Sequence, residues 1–407
     1  MRTKTLQIEK KKMIVPQLRF PGFEGEWEIE KLKDISKIER GRFSPRPRNN
    51  PIYYNGEIPF VQTSDVVNSN GKIEFYTQTL NEKGLAVSKL FPKGSILITI
   101  AANIGHSGVL QIDMACPDSL IGIKPNKDID NYYLNYYLST HQKKMDYLAP
   151  EGAQKNINIE FLNPYKVPTT TLKEQQKIAS FLSAVDDKIQ QLCRRKVLVG
   201  QYKKGVMQQL FSGKLRFKDE NGQDYPDWEE TRIGKIFEHR NETGYNEMEL
   251  LSVSINNGVY SQSQSNKIDN SNSDKSKYKR VLIGDIAYNS MRMWQGASSV
   301  STLDGIVSPA YTILQRNENN CSEYFGYLFK MRYMIQTFQK HSQGLTSDTW
   351  NLKYPMISKI KVKRPCLKEQ QKIANFLSGI DGKIEQVNGE LVKTQEFKKG
   401  LLQQMFV

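Results

Sequence analysis

Residues 42–49 read Arg-Phe-Ser-Pro-Arg-Pro-Arg-Asn, and the chemistry on offer there is recognition. Three guanidinium groups (Arg42, Arg46, Arg48), the Ser44 hydroxyl and the Asn49 amide share a loop stiffened by two prolines. Arginine can grip guanine or a phosphate through two parallel hydrogen bonds, and asparagine can do the same for an adenine edge. A second segment, Met291–Gln295, has the same character through Arg292, Trp294 and Gln295. Gln154, Lys155 and Asn156, and further on Thr346, Ser347, Thr349 and Trp350, carry side chains suited to base edges or a sugar–phosphate backbone. Thr63, Asn103, His106 and Arg240 complete the candidate set. A solvated surface explains any one of these loops equally well; the set weighs more than its members.

Residue patterns for catalysis are missing. His106, His141, His239 and His341 stand apart, without metal spacing or a nucleophile beside them. No G-x-x-x-x-G-K-[ST] phosphate loop occurs. Asn163-Pro164-Tyr165 matches part of an amino-methyltransferase motif but lacks its second proline and an upstream S-adenosylmethionine loop. Asp186-Asp187 falls on a helical pattern and is expected to face water. Cys116, Cys193, Cys321 and Cys366 form no C-x-x-C pair, so neither a zinc site nor a disulfide framework is indicated, and a reducing cytoplasm fits.

The elements that must position these loops come from a duplication. LKEQQKIASFLSAVDDKIQQL at 172–192 returns as LKEQQKIANFLSGIDGKIEQV at 367–387, with 15 of 21 positions identical. YKKGVMQQLF at 202–211 returns as FKKGLLQQMF at 397–406 with the same offset. LRF at 18–20 with Trp27-Glu28 echoes LRF at 215–217 with Trp228-Glu229. Apolar residues recur in alternating steps of four and three: Ile178, Leu182, Val185, Ile189, Leu192, Val206 and Leu210, then Ile373, Leu377, Ile380, Ile384, Val387, Leu391 and Leu401. That is an a/d seam, and it predicts two helices of about 40 residues, roughly 60 Å long at about 1.5 Å per residue. Such stripes need cover, and we expect the equivalent seams to pack on each other. Either direction is open; an antiparallel pair relates the repeats by a pseudo-twofold axis. Lys196, Lys203 and Gly200 weaken the middle of the first seam, so 194–204 reads as a solvated or partner-facing stretch. Thr171 with Glu174 forms a capping-box pattern; Cys366 breaks it in the second copy, which keeps Glu369.

Between the helices lie two heads of mixed composition. Strand patterns fall at 58–61, 95–101, 121–123, 250–254, 285–288 and 311–314. Each head closes with a tyrosine-rich helical candidate, 131–148 and 323–341, whose rings read as a core face. The polar run 261–279 reads as a loop. The domains are then a 1–17 extension, a first head 18–170, a first helix 171–213, a second head 214–365 and a second helix 366–407. Across all 407 residues the formal charge is +15, which favours a polyanionic partner. With 38% apolar residues, wholesale disorder is excluded. The apolar run 95–105 is too short for a bilayer, and the basic N-terminus lacks a signal-peptide core, so neither membrane insertion nor secretion is expected.

The duplicated LKEQQKIA-x-FLS helices, LRFPGF at 18–23 with Trp27-Glu28, and PKGSILIT at 92–99 together resemble the specificity subunit of type I restriction-modification enzymes. The resemblance covers nearly the whole chain apart from the first 17 residues. It implies an α+β protein with two target recognition domains, related by a pseudo-twofold and separated by a pair of long antiparallel coiled-coil helices. It further implies that each domain reads half of a split, asymmetric sequence in double-stranded DNA, and that the helices set the gap and dock two methyltransferase (M) subunits, with restriction (R) subunits joining the full complex. On that reading the chain is no enzyme and binds no cofactor. S-adenosylmethionine, ATP and Mg²⁺ belong to the partners, in the cytoplasm. The alternative is a coiled-coil scaffold that touches nucleic acid without sequence preference.

Overall fold

The computed structural model describes residues 14–150, 155–255, 257–264 and 271–406. Both repeat signatures open long helices, Leu172–Phe211 and Leu367–Met405, called the first and second rods here. The chain divides into two units, one holding residues up to Cys193 and those from Gly389, the other Arg194–Asn388. Each unit thus takes one head and half of each rod.

The seam packs as expected but not in isolation. In the first unit Ile178, Leu182 and Val185 share one core with Leu401 and Met405 of the second rod, and with Tyr133, Leu134 and Tyr137 of the head. In the second, Leu210, Ile373, Leu377 and Ile380 join Tyr324, Phe325 and Leu328. Each rod half is therefore covered on two sides, which combines packing between rods with packing on the head. The direction is antiparallel. Lys196 Nζ donates to Asn388 Oδ1 at 2.6 Å, and one heptad later Lys203 reaches back to Asp381 at 2.5 Å. These two lysines interrupt the apolar seam yet hold the rods by polar contacts. Arg194, Arg195, Val197 and Leu198 are exposed, as the sequence suggested for this stretch.

The two heads share a frame. In the first, a five-stranded sheet runs in the order Ser36–Arg40, Leu120–Pro125, Ile96–Thr99, Ser107–Leu110 and Lys72–Ile73. In the second, four strands repeat that order: Phe237–Arg240, Tyr311–Arg316, Ile286–Asn289 and Ser298–Val300. A short antiparallel pair closes each head just before its rod, Glu28–Lys31 with Lys166–Thr169 and Glu229–Arg232 with Lys361–Arg364. The central strand Ile96–Thr99 is buried along its whole length, which explains its unbroken apolar run. The tyrosine-rich segments are helical but broken. The first divides at His141 into Asn131–Thr140 and Gln142–Leu148, and the second into Ser322–Leu328 and Arg332–His341. Tyr133 and Tyr324 are fully buried core residues.

Beyond this frame the heads part. The first carries a further sheet in the order Gln78–Leu80, Tyr54–Phe60, Met114–Cys116, Lys89–Phe91. The second carries instead a hairpin, Leu251–Ser254 with Gly258–Ser261, and a separate pair, Lys279–Val281 with Gly305–Val307.

Candidate functional site

Each head is fastened to its rod by the repeated polar residues. Glu174 is 1% exposed, and its carboxylate accepts two hydrogen bonds from Arg19, at 2.7 and 2.8 Å, and one from the Thr170 hydroxyl. Glu369, fully buried, accepts from Arg216 at 3.1 and 2.8 Å and from the Trp228 indole at 3.3 Å. The capping box is therefore half formed. The Thr171 hydroxyl accepts from Glu174 N at 3.4 Å, while the Glu174 carboxylate serves the arginine, because a buried carboxylate needs a charged partner. Phe20 and Phe217 complete the LRF echoes by packing edge-on against Phe181 and Phe376. Gln175 and Gln370 accept from the backbone N–H of Asp130 and Cys321, the residues that open the head helices.

On the first head the 42–49 loop is held from within. Phe43 is buried among Tyr53, Tyr54 and Phe60. Gly41 has no space for a side chain, since a Cβ would lie 2.1 Å from the Pro117 carbonyl oxygen. The arginines stay exposed but not idle. Arg42 donates to the carbonyls of Ser88, at 2.9 Å, and Ala86. Arg48 holds the Asp118 carboxylate at 2.7 and 3.0 Å; Arg46 lies 3.8 Å from the same group and donates to the Pro45 carbonyl at 2.9 Å. Ser44 is exposed. Asn49 lines a recess of about 400 Å³ with Tyr54, Asn55, Tyr76, Thr77, Gln78 and Thr79. Next to Asp118, Ser119 meets the Thr63 hydroxyl at 3.3 Å, and its carbonyl accepts from Ile100 N. Asn103 is exposed on the following turn, and Ala101 there bridges to Asn156. Lys155 lies 3.8 Å from Asp146. His106 is half-buried and lines a cleft of about 960 Å³ with Gln142 and Asp186. Gln154 lies outside the described residues. Contacts through Asp118, Ser119, Ile100 and Ala101 thus bring the 42–49 loop, Thr63, Asn103 and Asn156 near one another.

On the second head Trp294 meets Trp350 edge-on at 5.2 Å, which brings the 291–295 and 346–350 loops together. Trp294 Nε1 also donates to the Met291 carbonyl at 3.1 Å. Behind this loop Lys330 donates to the Gly296 carbonyl at 2.6 Å, and burial pulls its ammonium down to about 8. Arg292 and Gln295 line a recess of about 540 Å³ with Ser252, Tyr260, Gln262, Asn289 and Tyr311. Thr346, Ser347 and Thr349 are exposed, beside a fully exposed Leu345. Arg240 does not belong with these residues. It is 8% exposed, clamped by Asp285 at 2.6 Å and by Glu242, so it ties the frame together and offers no free guanidinium.

The recesses and the Arg48 ion pair also involve Asn55, Gln78, Asp118, Tyr260, Gln262 and Asn289, which sequence reading did not single out. For Asn55 a signal existed. Asn55-Gly56 is a turn dipeptide, and Asn55 takes a left-handed φ of 63° where the pairing of Tyr54–Phe60 with Gln78–Leu80 slips register. Gln78 opens its strand, Asn289 ends its own, Tyr260 lies within one, Gln262 starts a short 3-10 turn and Asp118 is in a loop; nothing local marks them.

Among the described residues no group of three His, Cys, Asp or Glu side chains could hold a metal, and no helix is long and apolar enough to cross a membrane.

Residues 24–197 and 225–393 each match the family described as the type I restriction modification DNA specificity domain, and the chain belongs to that family. Its relatives include three specificity subunits of Methanocaldococcus jannaschii. The chain is 32% identical to the MjaX subunit over 47% of its own length and 44% of the relative's. It is 26% identical to MjaIX, over 52% and 51%, and 24% identical to MjaVIII, over 74% and 73%. The matches thus span about half the length of the first two relatives. Among solved structures, the S subunit from a type I restriction-modification system of M. genitalium has the same fold, with a TM-score of 0.60 at 16% identity, covering 97% of this chain and 99% of that one.

Proposed function

We propose that this chain is the DNA-reading subunit of a type I restriction-modification complex. Each head takes one half of a bipartite, asymmetric target in double-stranded DNA. The rods set the gap between the halves and dock two M subunits, through which R subunits join. Adenine methylation with S-adenosylmethionine, and translocation and cleavage with ATP and Mg²⁺, take place on those partners in the cytoplasm, and this chain contributes no catalytic group or cofactor.

One observation carries the reading: both heads keep the same frame and the same fastening to a rod, yet their outer layers and exposed polar loops differ. A shared frame with unlike tips is what two separate recognition tasks on one ruler require. The charge of +15 supports phosphate affinity, which should fall steeply with salt. Val197, Leu198 and Tyr202, all more than half exposed on the first rod, support a docked partner.

The test is competition between duplexes of selected and random sequence for the assembled complex. Strong preference for the selected duplex is expected. A ratio near one would point to a non-specific scaffold. Methylated or cleaved product from this chain alone would contradict the division of labour. Inserting whole heptads into both rods should lengthen the gap and leave both half-sites unchanged.

A further inference from the structure

Asp186 lies twelve residues beyond Glu174, about 18 Å along the first rod at about 1.5 Å per residue. Its carboxylate accepts a hydrogen bond from the Tyr136 hydroxyl of the head at 2.8 Å and from Lys398 of the second rod at 2.6 Å. The Lys398 ammonium also lies over the Tyr136 ring, 5.4 Å from its centre. In the other unit the rods exchange roles and the constellation returns. Asp381, twelve residues beyond Glu369 on the second rod, accepts from Tyr327 at 2.7 Å and from Lys203 of the first rod at 2.5 and 2.8 Å. Lys203 sits 4.9 Å from the centre of the Tyr327 ring. So Asp186, expected to face water, and its counterpart Asp381 are each the meeting point of three helices. The spacing inside the head repeats too: Tyr136 is six residues beyond Asp130, and Tyr327 six beyond Cys321, the residues held by Gln175 and Gln370.

We propose that these two Tyr–Asp–Lys triads are latches that fix the angle of each reading head on the rods, and so decide how strictly the complex measures the gap in its target. Fastening at Glu174 and Gln175, or at Glu369 and Gln370, gives directional contacts at one end of the rod half only, and the span beyond is held by apolar packing, which sets no single angle. A second directional attachment about 18 Å away fixes that angle. The latch adds an ion pair to the other rod, which the first attachment reaches only through the backbone bonds from Leu18 N to Gln404 O at 2.9 Å and from Leu215 N to Gln209 O at 3.2 Å. Burial above all, with the neighbouring aspartate, raises both phenols well above their ordinary value, so each keeps the proton it donates. None of the six side chains belongs to the polar loops assigned to reading. Their effect is on geometry, and they are positioning residues.

The inference rests on the proposed function, and one experiment separates the two. The assembled complex is tested on duplexes carrying its selected motif with the natural gap, and with the gap shortened or lengthened by one base pair. The Tyr136→Phe/Tyr327→Phe double variant keeps both rings and removes two hydroxyls. Loss of a hydrogen bond to a charged group should lower discrimination against the altered gaps by roughly tenfold. Base preference in each half-site should stay as it was, as should the thermal transition to within a few degrees. Asp381→Asn, which removes the charge that Lys203 meets, should lower discrimination in the same direction. Unchanged gap discrimination in the Tyr double variant would overturn the latch. A wild-type complex without preference for any motif would instead overturn the reading beneath it.

Discussion

The two heads are alike in their frame and in the polar contacts that mount them on the rods, and unlike in their outer layers. Arg19 with Glu174 and Arg216 with Glu369 are equivalent buried ion pairs; Gln175 and Gln370 make equivalent backbone contacts. Outside the frame, one head carries a four-stranded sheet where the other carries a hairpin and a detached pair. Buried polar pairs are geometrically demanding, so they preserve how a head is mounted while its surface is free to change. On the proposed reading, the difference points to the 42–49 and 76–79 region of one head, and the 291–295, 346–350 and 251–262 region of the other, as the places to test.

The largest effects should come from the mountings. Glu174→Ala or Glu369→Ala leaves a guanidinium without its carboxylate, at a cost of about 3 kcal/mol. Each change also strands a second donor, the Thr170 hydroxyl in one unit and the Trp228 indole in the other, so each should loosen its own unit by a similar amount. Hydrogen exchange resolved by unit would check this; equal loss of protection in both units from either variant would break the comparison. Next come the tips. Arg48→Ala should weaken specific binding by about 1–3 kcal/mol and relax preference in one half-site, and Arg292→Ala should do the same in the other. Selection from a random duplex library reads both, and a single variant that altered both halves would refute the separation of tasks. Trp350→Ala removes the edge contact to Trp294, worth about 1 kcal/mol, and should loosen recognition in the second half-site alone, measured the same way.

The smallest effect concerns pH. Hydrogen bonding to Lys89 foremost, with help from Lys37, holds the Glu39 carboxyl at about 2, below the usual carboxylate range. Its folded-state pKa is depressed, so its stabilisation is complete above the ordinary carboxylate value and disappears as pH falls toward 2. The first head should therefore lose stability over that window, and Glu39→Gln should flatten the dependence in acid unfolding curves.

Much of the frame was legible in the sequence because periodicity and repetition report on packing. The rods, the central strands and the buried tyrosines all follow from where apolar residues recur. Lys203 and Asp186 were harder. A charged residue on a seam reads as a weakness or a solvated face until its partner is known, and each partner lies far away in sequence on the other rod. Arg240 failed for the same reason: its composition suggested a free guanidinium, but Asp285, 45 residues on, neutralises it. The loops were legible as loops. Their assembly into recesses, with Gln78 beside Asn49 and Tyr260 beside Arg292, depends on strand pairing in the outer layers, which no local pattern encodes.

The most direct test is the DNA motif methylated in cells that carry this chain with its M partner, before and after residues 18–170 are replaced by another first head. Two unlike half-sites at a set gap, with one half changed by the replacement and the gap kept, is the expected result. A single contiguous motif, or a replacement that rewrites both halves, would contradict the account.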